Sequence, residues 1–195
     1  LARSGFDYCK GNIMASNPRW VCSLSEWKSY FTAWITEPKS EELLKFNMFF
    51  DFRPVYGDAL HANELKEHIK KLLKANPPFF SHLAQKTLLF KTPLGFMGNI
   101  IFNTDDSSNE VFDVKEALLP IVSFARIYAL KHDIDQTNTH ERLLGLRDRK
   151  IILESSYNEI TNVYDFLMQM RLNNQSSSMD RNLEPGNMVT KSGLT

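Results

Sequence analysis

Apolar residues recur at helical spacing in several stretches of the chain, and each such stretch predicts a helix. Ser23 and Glu26 form a capping-box pattern ahead of the first helix, which is expected to end before Pro38. A long amphipathic helix is predicted between residues 58 and 76, because its charged residues, mostly lysines, lie opposite an apolar face. That apolar face consists of Leu60, Leu65, Ile69, Leu72 and Leu73.

The next stretches also predict helices. The pair Pro77 and Pro78 starts one that runs to about Phe90, since proline fits the first turn of a helix. A second capping-box pattern, at Asp113 and Glu116, opens a helix that is apolar on nearly every side. Such a helix is expected to be buried in the centre of the domain.

Two more helices complete the prediction. A third capping-box pattern, at Asn138 and Glu141, opens a short one, and a long one runs from about residue 152 to residue 174. The residues of this last helix that are expected to face inward are Ile160, Val163, Tyr164, Leu167 and Met168.

Strands are predicted at two places. The aromatic run "NMFFDF", residues 47–52, is typical of a strand or an extended segment. The runs "LGFMGNIIF" and "EVFDV", residues 94–102 and 110–114, flank a polar loop and indicate a hairpin. Residues 176–195 are polar, contain Gly and Pro, and predict a loop or tail. The expected fold is therefore mainly α, a helical bundle with a small β-hairpin, preceded by about 57 residues of different character.

Composition and charge narrow the class of protein. Lys+Arg and Asp+Glu both number 23, so nothing predicts a surface for nucleic acid or another polyanion. No window of 18 apolar residues exists, so no membrane-spanning helix is expected. The two cysteines, Cys9 and Cys22, make neither a disulfide framework nor a zinc motif and are expected to be thiols in a reducing cytoplasm. The start of the chain lacks Met and a signal-peptide core, and it reads as a cut inside a longer protein.

The motifs of common enzymes are missing from these 195 residues. The five histidines are scattered without metal-ligand spacing, and "HDID" at 132–135 is interpreted as a loop rather than a magnesium site. No nucleophile elbow, dinucleotide fingerprint or phosphate-binding loop occurs. The chain alone is therefore expected to carry no complete catalytic site.

Two stretches have the composition of a binding site. "CKGNIMASNPRW", residues 9–20, contains donors suited to a phosphate or another anion, and Gly11 permits close backbone approach. The alternative is a turn that caps the next helix. In "FFDFRPVYGD", residues 49–58, Asp51 and Arg53 would share one face of a strand, either as a functional pair or as a local ion pair.

Both stretches, with "PLGFMGN", "DVKEALLPIVSFARIYAL", "THERL" and "MRLNNQ", resemble a family of bacterial nucleotidyltransferases nearly from end to end. That family is similar to PII-protein uridylyltransferases and glutamine-synthetase adenylyltransferases and often carries cyclic-nucleotide-binding and CBS domains upstream. The chain departs from the family pattern at Ala117, where Gly is usual.

The resemblance implies three segments. Residues 1–57 would be the end of an α/β, polymerase-β-like nucleotidyltransferase domain, 58–175 a helical substrate-binding domain, and 176–195 a tail or the start of a further helix. The Gly-Ser and Asp-x-Asp motifs that hold Mg²⁺ would lie upstream, so Mg²⁺ and NTP are cofactors expected of the longer protein, and no metal ligand is assigned here.

The resemblance also implies site residues. Asp51 is a candidate for the third metal carboxylate, and Asp51, Arg53 and Gly57 would lie at the hinge between the domains. The residues implied to border the nucleotide are Cys9, Lys10, Gly11, Asn12, Met14, Ser16 and Asn17, to which the donor composition of the stretch adds Arg19. Those implied to contact the substrate are Arg53, Arg126, Arg142, Arg171 and Gln175.

Three functions remain open on the sequence. In the first, the chain is the C-terminal part of a nucleotidyltransferase that transfers a nucleoside monophosphate from NTP to a protein or small acceptor, and it is inactive alone. In the second, it is a non-catalytic regulatory or protein-interaction module that relays signals from upstream sensory domains. The third is an anion-binding helical domain of an unrelated signalling protein.

Overall fold

A computed structural model of the protein describes residues 8–88, 101–104 and 108–191. Contacts between residues divide the chain into two units, Leu1–Phe79 and Phe80–Thr195, called here the N-terminal and C-terminal units. Seven α-helices and three short strands form in the described residues, which confirms the mainly α fold with a small antiparallel sheet. The division predicted at residue 57 stays a prediction.

The N-terminal unit is built around three helices. A 3₁₀ turn at Pro18–Trp20 precedes α1 (Leu24–Thr36), α2 (Ser40–Phe49) and α3 (Leu60–Ala75), and α4 (Pro78–Leu88) begins at its end. The capping box before α1 is confirmed: the Ser23 hydroxyl accepts from the amide of Glu26, whose carboxylate accepts from the amide of Ser23. α1 packs against both α2 and α3.

The core of this unit is mainly aromatic. Phe31 and Phe46 are completely buried, and their rings meet edge to face with centroids 5.9 Å apart. Phe46 also meets Phe79 at 4.7 Å and stacks on Phe50 at 5.1 Å. Edge-to-face and offset arrangements are those that the ring quadrupole favours, so these contacts fix the helices relative to each other.

Two predictions for this unit are wrong. Residues 47–49 are the last turn of α2, and 50–54 form no strand, because Phe46 and Phe50 are one helical turn apart and both are buried. Leu60 is exposed rather than inward, since it is the first residue of α3 and lies before the turn that packs on α1. The predicted apolar face is confirmed for Leu65, Ile69 and Leu73, which are buried.

The C-terminal unit combines helices with the small sheet. Its elements after α4 are β1 (Asn103–Thr104), β2 (Glu110–Asp113), α5 (Val114–Lys131), α6 (Thr139–Asp148), α7 (Glu154–Asp180) and β3 (Met188–Thr190). The strand order is β1-β2-β3, antiparallel throughout, with Phe112 opposite Val189. The predicted N-caps are confirmed: Asp113 accepts from the amides of Lys115 and Glu116, and Asn138 from those of His140 and Glu141.

Aliphatic side chains dominate the core of this unit. One cluster joins the sheet to α5 and α7 through residues such as Phe112, Leu118, Leu167 and Val189. A second cluster joins α5 to α6 and the loop between them through Ala129, Ile134 and Leu146. Packing here is close: a Cβ added to Gly145 of α6 would lie 3.3 Å from a methyl carbon of Ile134.

The structure differs from prediction in the last part of this unit. α7 continues to Asp180, and Met188–Thr190, predicted as a loop or tail, forms the third strand. Its three residues pair with Val111, Phe112 and Asp113, and this long-range pairing leaves no local sequence signal. Val163, predicted inward, is half exposed. The first predicted hairpin run lies mostly outside the described residues. No described helix has the length and hydropathy needed to span a bilayer.

Candidate functional site

The loop at residues 9–22 has a conformation fixed by its own hydrogen bonds. Asn12 has a positive φ of 54°, and its carbonyl accepts from Asn17 Nδ2 at 2.9 Å and from Trp20 Nε1 at 3.3 Å. Asn17 Oδ1 accepts from the amide of Arg19 at 3.0 Å and caps the 3₁₀ turn. Asn17 therefore holds the loop together with both ends of its side chain.

The remaining polar residues predicted in this loop are displayed outward. Lys10, Gly11, Ser16 and Arg19 are all exposed. Gly11 has room for a side chain, since an added Cβ would make only ordinary contacts, the nearest with Cys9 Sγ at 3.8 Å. The residue in the left-handed region is Asn12, a residue type that tolerates this conformation. The structure thus places three exposed donor side chains on one loop whose backbone is held by hydrogen bonds.

Trp20 anchors this loop on the aromatic core. Its ring lies 4.5 Å from that of Phe49 and stacks on Trp27 at 6.2 Å, while the guanidinium of Arg19 lies 5.0 Å from its centroid. Cys22 Sγ donates to the carbonyl of Arg19 at 2.9 Å. Electrostatic interaction with the neighbouring Cys22 raises the pKa of the Tyr30 hydroxyl, with burial adding to the shift.

Two stretches that are apart in sequence meet at one recess. A cavity of about 570 Å³ is lined on one side by residues that directly follow the loop and on another by Phe52, Arg53 and Pro54. The complete lining is Cys22, Ser23, Leu24, Trp27, Phe52, Arg53, Pro54, His61, Ala62 and Leu65. The lining begins at Cys22, just after the 9–20 stretch. That stretch meets the 49–58 stretch through Trp20, whose ring lies 4.5 Å from that of Phe49.

The floor of the recess is apolar and its rim is polar. A second cavity of about 230 Å³ shares Trp27, Phe52 and Leu65 with the first and is closed by Phe31 and Phe49. Arg53 and His61 are exposed at the rim. A flat apolar group would fit the floor, and a negatively charged group would fit the rim.

Charged residues next to the recess are paired with each other or lie against its aromatic lining. Glu64 is paired with Lys28 at 2.5 Å, and hydrogen bonding and charge from Lys28 lower the pKa of Glu64. Lys66 Nζ lies 5.8 Å from the ring centroid of Phe52. Asp51 is half-buried. Its neighbour Arg53 is exposed, so the shared strand face predicted for this pair does not exist.

The substrate-contacting residues predicted in the C-terminal unit lie on three helices. Arg126 is half-buried on α5. Arg142 on α6 is only 4% exposed, and its Nε donates to the carbonyl of Gln136 at 2.6 Å. It therefore fastens the loop that precedes α6, which is a structural position rather than a surface for a ligand.

The other two members of this set lie one turn apart on α7. Arg171 Nε donates to Asn187 Oδ1 at 2.9 Å, and Gln175 is half-buried. Arg171 thus connects α7 to the chain that enters β3. The sequence analysis did not select a row of polar residues along this helix that lines a groove. The row has a spacing of four and consists of Gln169, Asn173, Ser177 and Arg181. The four-residue spacing itself was the available signal.

The family resemblance implies magnesium-binding motifs upstream of this chain, with Asp51 as a candidate third carboxylate. Within residues 8–88, 101–104 and 108–191, no group of three or more His, Cys, Asp or Glu could hold a metal ion. "HDID" is a loop after α5, as predicted, with Asp133 at φ 53°. The described residues do not fit a magnesium site, so no chemical step through a metal is assigned to them.

Comparison with known families decides what kind of chain this is. The family model described as "Putative nucleotidyltransferase substrate binding domain" matches residues 77–195, which is more than half of the chain. The chain belongs to this family. A second model, "Putative nucleotidyltransferase DUF294", matches residues 1–41. A search of the curated proteins found no match, and a search of the solved structures found none either.

The two family matches can be compared with the structure. The substrate-binding match begins at the start of α4, close to the boundary between the two units at Phe79. The nucleotidyltransferase match covers the 9–20 loop and all of α1, which includes Trp20 and Trp27. The recess in the N-terminal unit is therefore lined by residues both inside and after that match.

Proposed function

We propose that this chain is the C-terminal part of a nucleotidyltransferase, in which the 9–20 loop forms one border of the nucleotide site. The observation that carries the proposal is the packing of Trp20, at the end of that loop, on Phe49 and Trp27, which line a recess with an aromatic floor and with Arg53 at its rim. Mg²⁺ and the carboxylates that bind it would come from upstream residues of the longer protein.

The loop is suited to hold phosphate because its donors are exposed while its backbone is fixed. Lys10, Ser16 and Arg19 are exposed, while hydrogen bonds among Asn12, Asn17 and Trp20 fix the backbone. Hydrogen bonds from charged donors to phosphate oxygens are short and strong. A loop whose backbone is already ordered loses little backbone freedom on binding, which lowers the entropic cost of holding a reacting group.

In this proposal Arg53 of the N-terminal unit contributes to positioning the acceptor, which is a protein or a small molecule. Arg53 is exposed at the rim of the recess, next to the expected place of the phosphates. Arg126, Arg171 and Gln175 remain candidates, while the burial of Arg142 argues for a structural role. A cytoplasmic protein with upstream cyclic-nucleotide-binding or CBS domains fits this proposal.

The proposal is tested in the full-length protein with ATP and UTP, each with Mg²⁺. Nucleotide affinity is measured by calorimetry and turnover by release of pyrophosphate. Lys10→Ala and Arg19→Ala are each expected to weaken nucleotide binding by roughly 10-fold or more, because a hydrogen bond to a charged group is worth about 1.5–3 kcal/mol. Arg53→Ala is expected to lower turnover more than it lowers nucleotide affinity.

The matched control is Lys71→Ala, an exposed lysine on α3, which should change neither quantity. Asn17→Ala is not used as a binding probe, since its loss would disturb the loop. If all three variants bind nucleotide and turn over normally but no longer respond to the upstream sensory domains, the chain is a regulatory module and the proposal is wrong.

A further inference from the structure

An open groove of about 460 Å³ runs along the second half of α7. The helix contributes two adjacent rows of residues, each at a spacing of four, and the chain that returns into β3 contributes the opposite wall. The outer row is Gln169, Asn173, Ser177 and Arg181, the inner row is Phe166, Met170, Asn174 and Ser178, and the opposite wall is Leu183, Val189 and Thr190.

The opposite wall is fixed to the helix by hydrogen bonds that do not use the outer row. Asn174 Nδ2 donates to the carbonyls of Gly186 at 3.3 Å and Met188 at 3.1 Å. The amide of Leu183 donates to the carbonyl of Ser178 at 2.8 Å and turns the chain back after α7. The groove is therefore formed before anything binds in it, with the outer row exposed to solvent.

The first two residues of the outer row, Gln169 and Asn173, carry amide side chains. Gln169 Nε2 donates to Asn173 Oδ1 at 2.7 Å, which orients both side chains. An amide side chain has two N–H donors and an oxygen with two lone pairs, so each of these residues can make further hydrogen bonds. The N–H and C=O groups of a peptide backbone need an acceptor and a donor, respectively, and one amide side chain offers both.

The spacing of this row matches that of an extended polypeptide. Positions four apart on a helix are separated by about 6 Å along its axis. In an extended chain, groups on the same edge recur every two residues, at about 6.7 Å. We propose that this groove binds an extended peptide segment of a partner protein, which runs along α7 and forms main-chain hydrogen bonds with Gln169 and Asn173.

The rest of the groove indicates which peptide fits. Phe166 and Leu183 are 63% and 60% exposed, and they flank the groove as sites for apolar side chains of the peptide. Among the lining residues that the structure describes, Arg181 alone is charged, so an acidic residue fits at that end of the peptide. A nucleic acid is disfavoured, since its affinity comes from several cations that neutralise phosphates.

This proposal concerns the C-terminal unit and does not depend on the nucleotide site. It is tested with the full-length protein and a displayed library of random 12-residue peptides, followed by fluorescence polarisation with the peptides that are selected. Selected peptides should contain apolar residues and an acidic residue. Gln169→Ala, Asn173→Ala and Phe166→Ser should each weaken their binding at least 10-fold. The matched control is Asn158→Ala, an exposed asparagine in the first half of α7.

A second measurement separates main-chain recognition from side-chain recognition. Each selected peptide is remade with alternate backbone amides N-methylated, in both registers. The peptide methylated on the amides that face the row should lose at least 10-fold in affinity. The peptide methylated on the other amides should bind nearly as well as the unmethylated one, because only one edge of an extended chain faces the row. If no selected peptide depends on Asn173, if both registers bind unchanged, or if a 12-residue oligouridylate binds more tightly than the peptides, the proposal is wrong.

Discussion

The two units of this protein have cores of different chemistry, and their cavities differ accordingly. In the N-terminal unit, rings such as Trp27, Phe31 and Phe49 meet at angles between 37° and 55° and leave an internal cavity of about 230 Å³. In the C-terminal unit, aliphatic residues such as Ile134 and Leu146 pack closely, and the groove described above lies along the outside of α7. Since each unit has its own core, truncating a core residue of one unit is expected to destabilise that unit more than the other.

Phe46→Ala is expected to produce the largest effect. Phe46 is fully buried and meets three other rings, so its removal should cost the N-terminal unit about 3–5 kcal/mol. All three tryptophans, Trp20, Trp27 and Trp34, are in this unit, so their fluorescence during denaturation in urea reports on it alone. If far-UV circular dichroism shows the C-terminal helices unfolding at the same urea concentration, the two cores are not independent and the comparison fails.

Leu146→Ala is the matched change in the other core. Leu146 is also fully buried, and its truncation should cost the C-terminal unit about 2–5 kcal/mol. The loss should appear in far-UV circular dichroism as an earlier transition, while the tryptophan transition stays in place. A shift of the tryptophan transition by the same amount would contradict separate cores.

Arg142→Met tests whether this arginine is structural. The methionine keeps an unbranched apolar stem about as long as arginine up to Nε but leaves the carbonyl of Gln136 without its bond, which should cost about 1–3 kcal/mol. Lys115→Met, an exposed position on α5, is the control and should change the stability by less than about 0.5 kcal/mol. If Arg142→Met unfolds at the same urea concentration as the wild type, the structural role assigned to Arg142 is wrong.

The smallest effect is expected from pH at the start of α1. Hydrogen bonds from the Ser23 hydroxyl and amide lower the pKa of Glu26 from its ordinary value of 4.5. This contribution to stability is therefore complete above pH 4.5 and is lost as the pH falls through the lower pKa of the folded state. Glu26→Gln should abolish that part of the pH dependence of the tryptophan transition. An identical acid profile for Glu26→Gln and the wild type would rule out this contribution.

The sequence predicted the local features of both units well and the long-range ones poorly. The caps at Ser23, Asp113 and Asn138 lie where predicted, because a cap needs only residues within one turn. The 9–20 loop and the 49–58 stretch meet where Trp20 contacts Phe49, while residues 47–49, predicted as part of a strand or extended segment, are the last turn of α2. The burial of Arg142 was missed because it depends on a loop six residues away that folds back on α6.

The sequence by itself determined where most helices begin, that the protein is mainly α, and which family it belongs to. Each of these rests on residues close together in the chain or on a pattern along it. Only the tertiary structure decided that Met188–Thr190 is a strand, that Arg53 lies beside Cys22 and Trp27 in one recess, and that four polar residues of α7 line a groove. The physical reason is that strand pairing, burial and cavities arise between segments far apart in the chain, which no local pattern records.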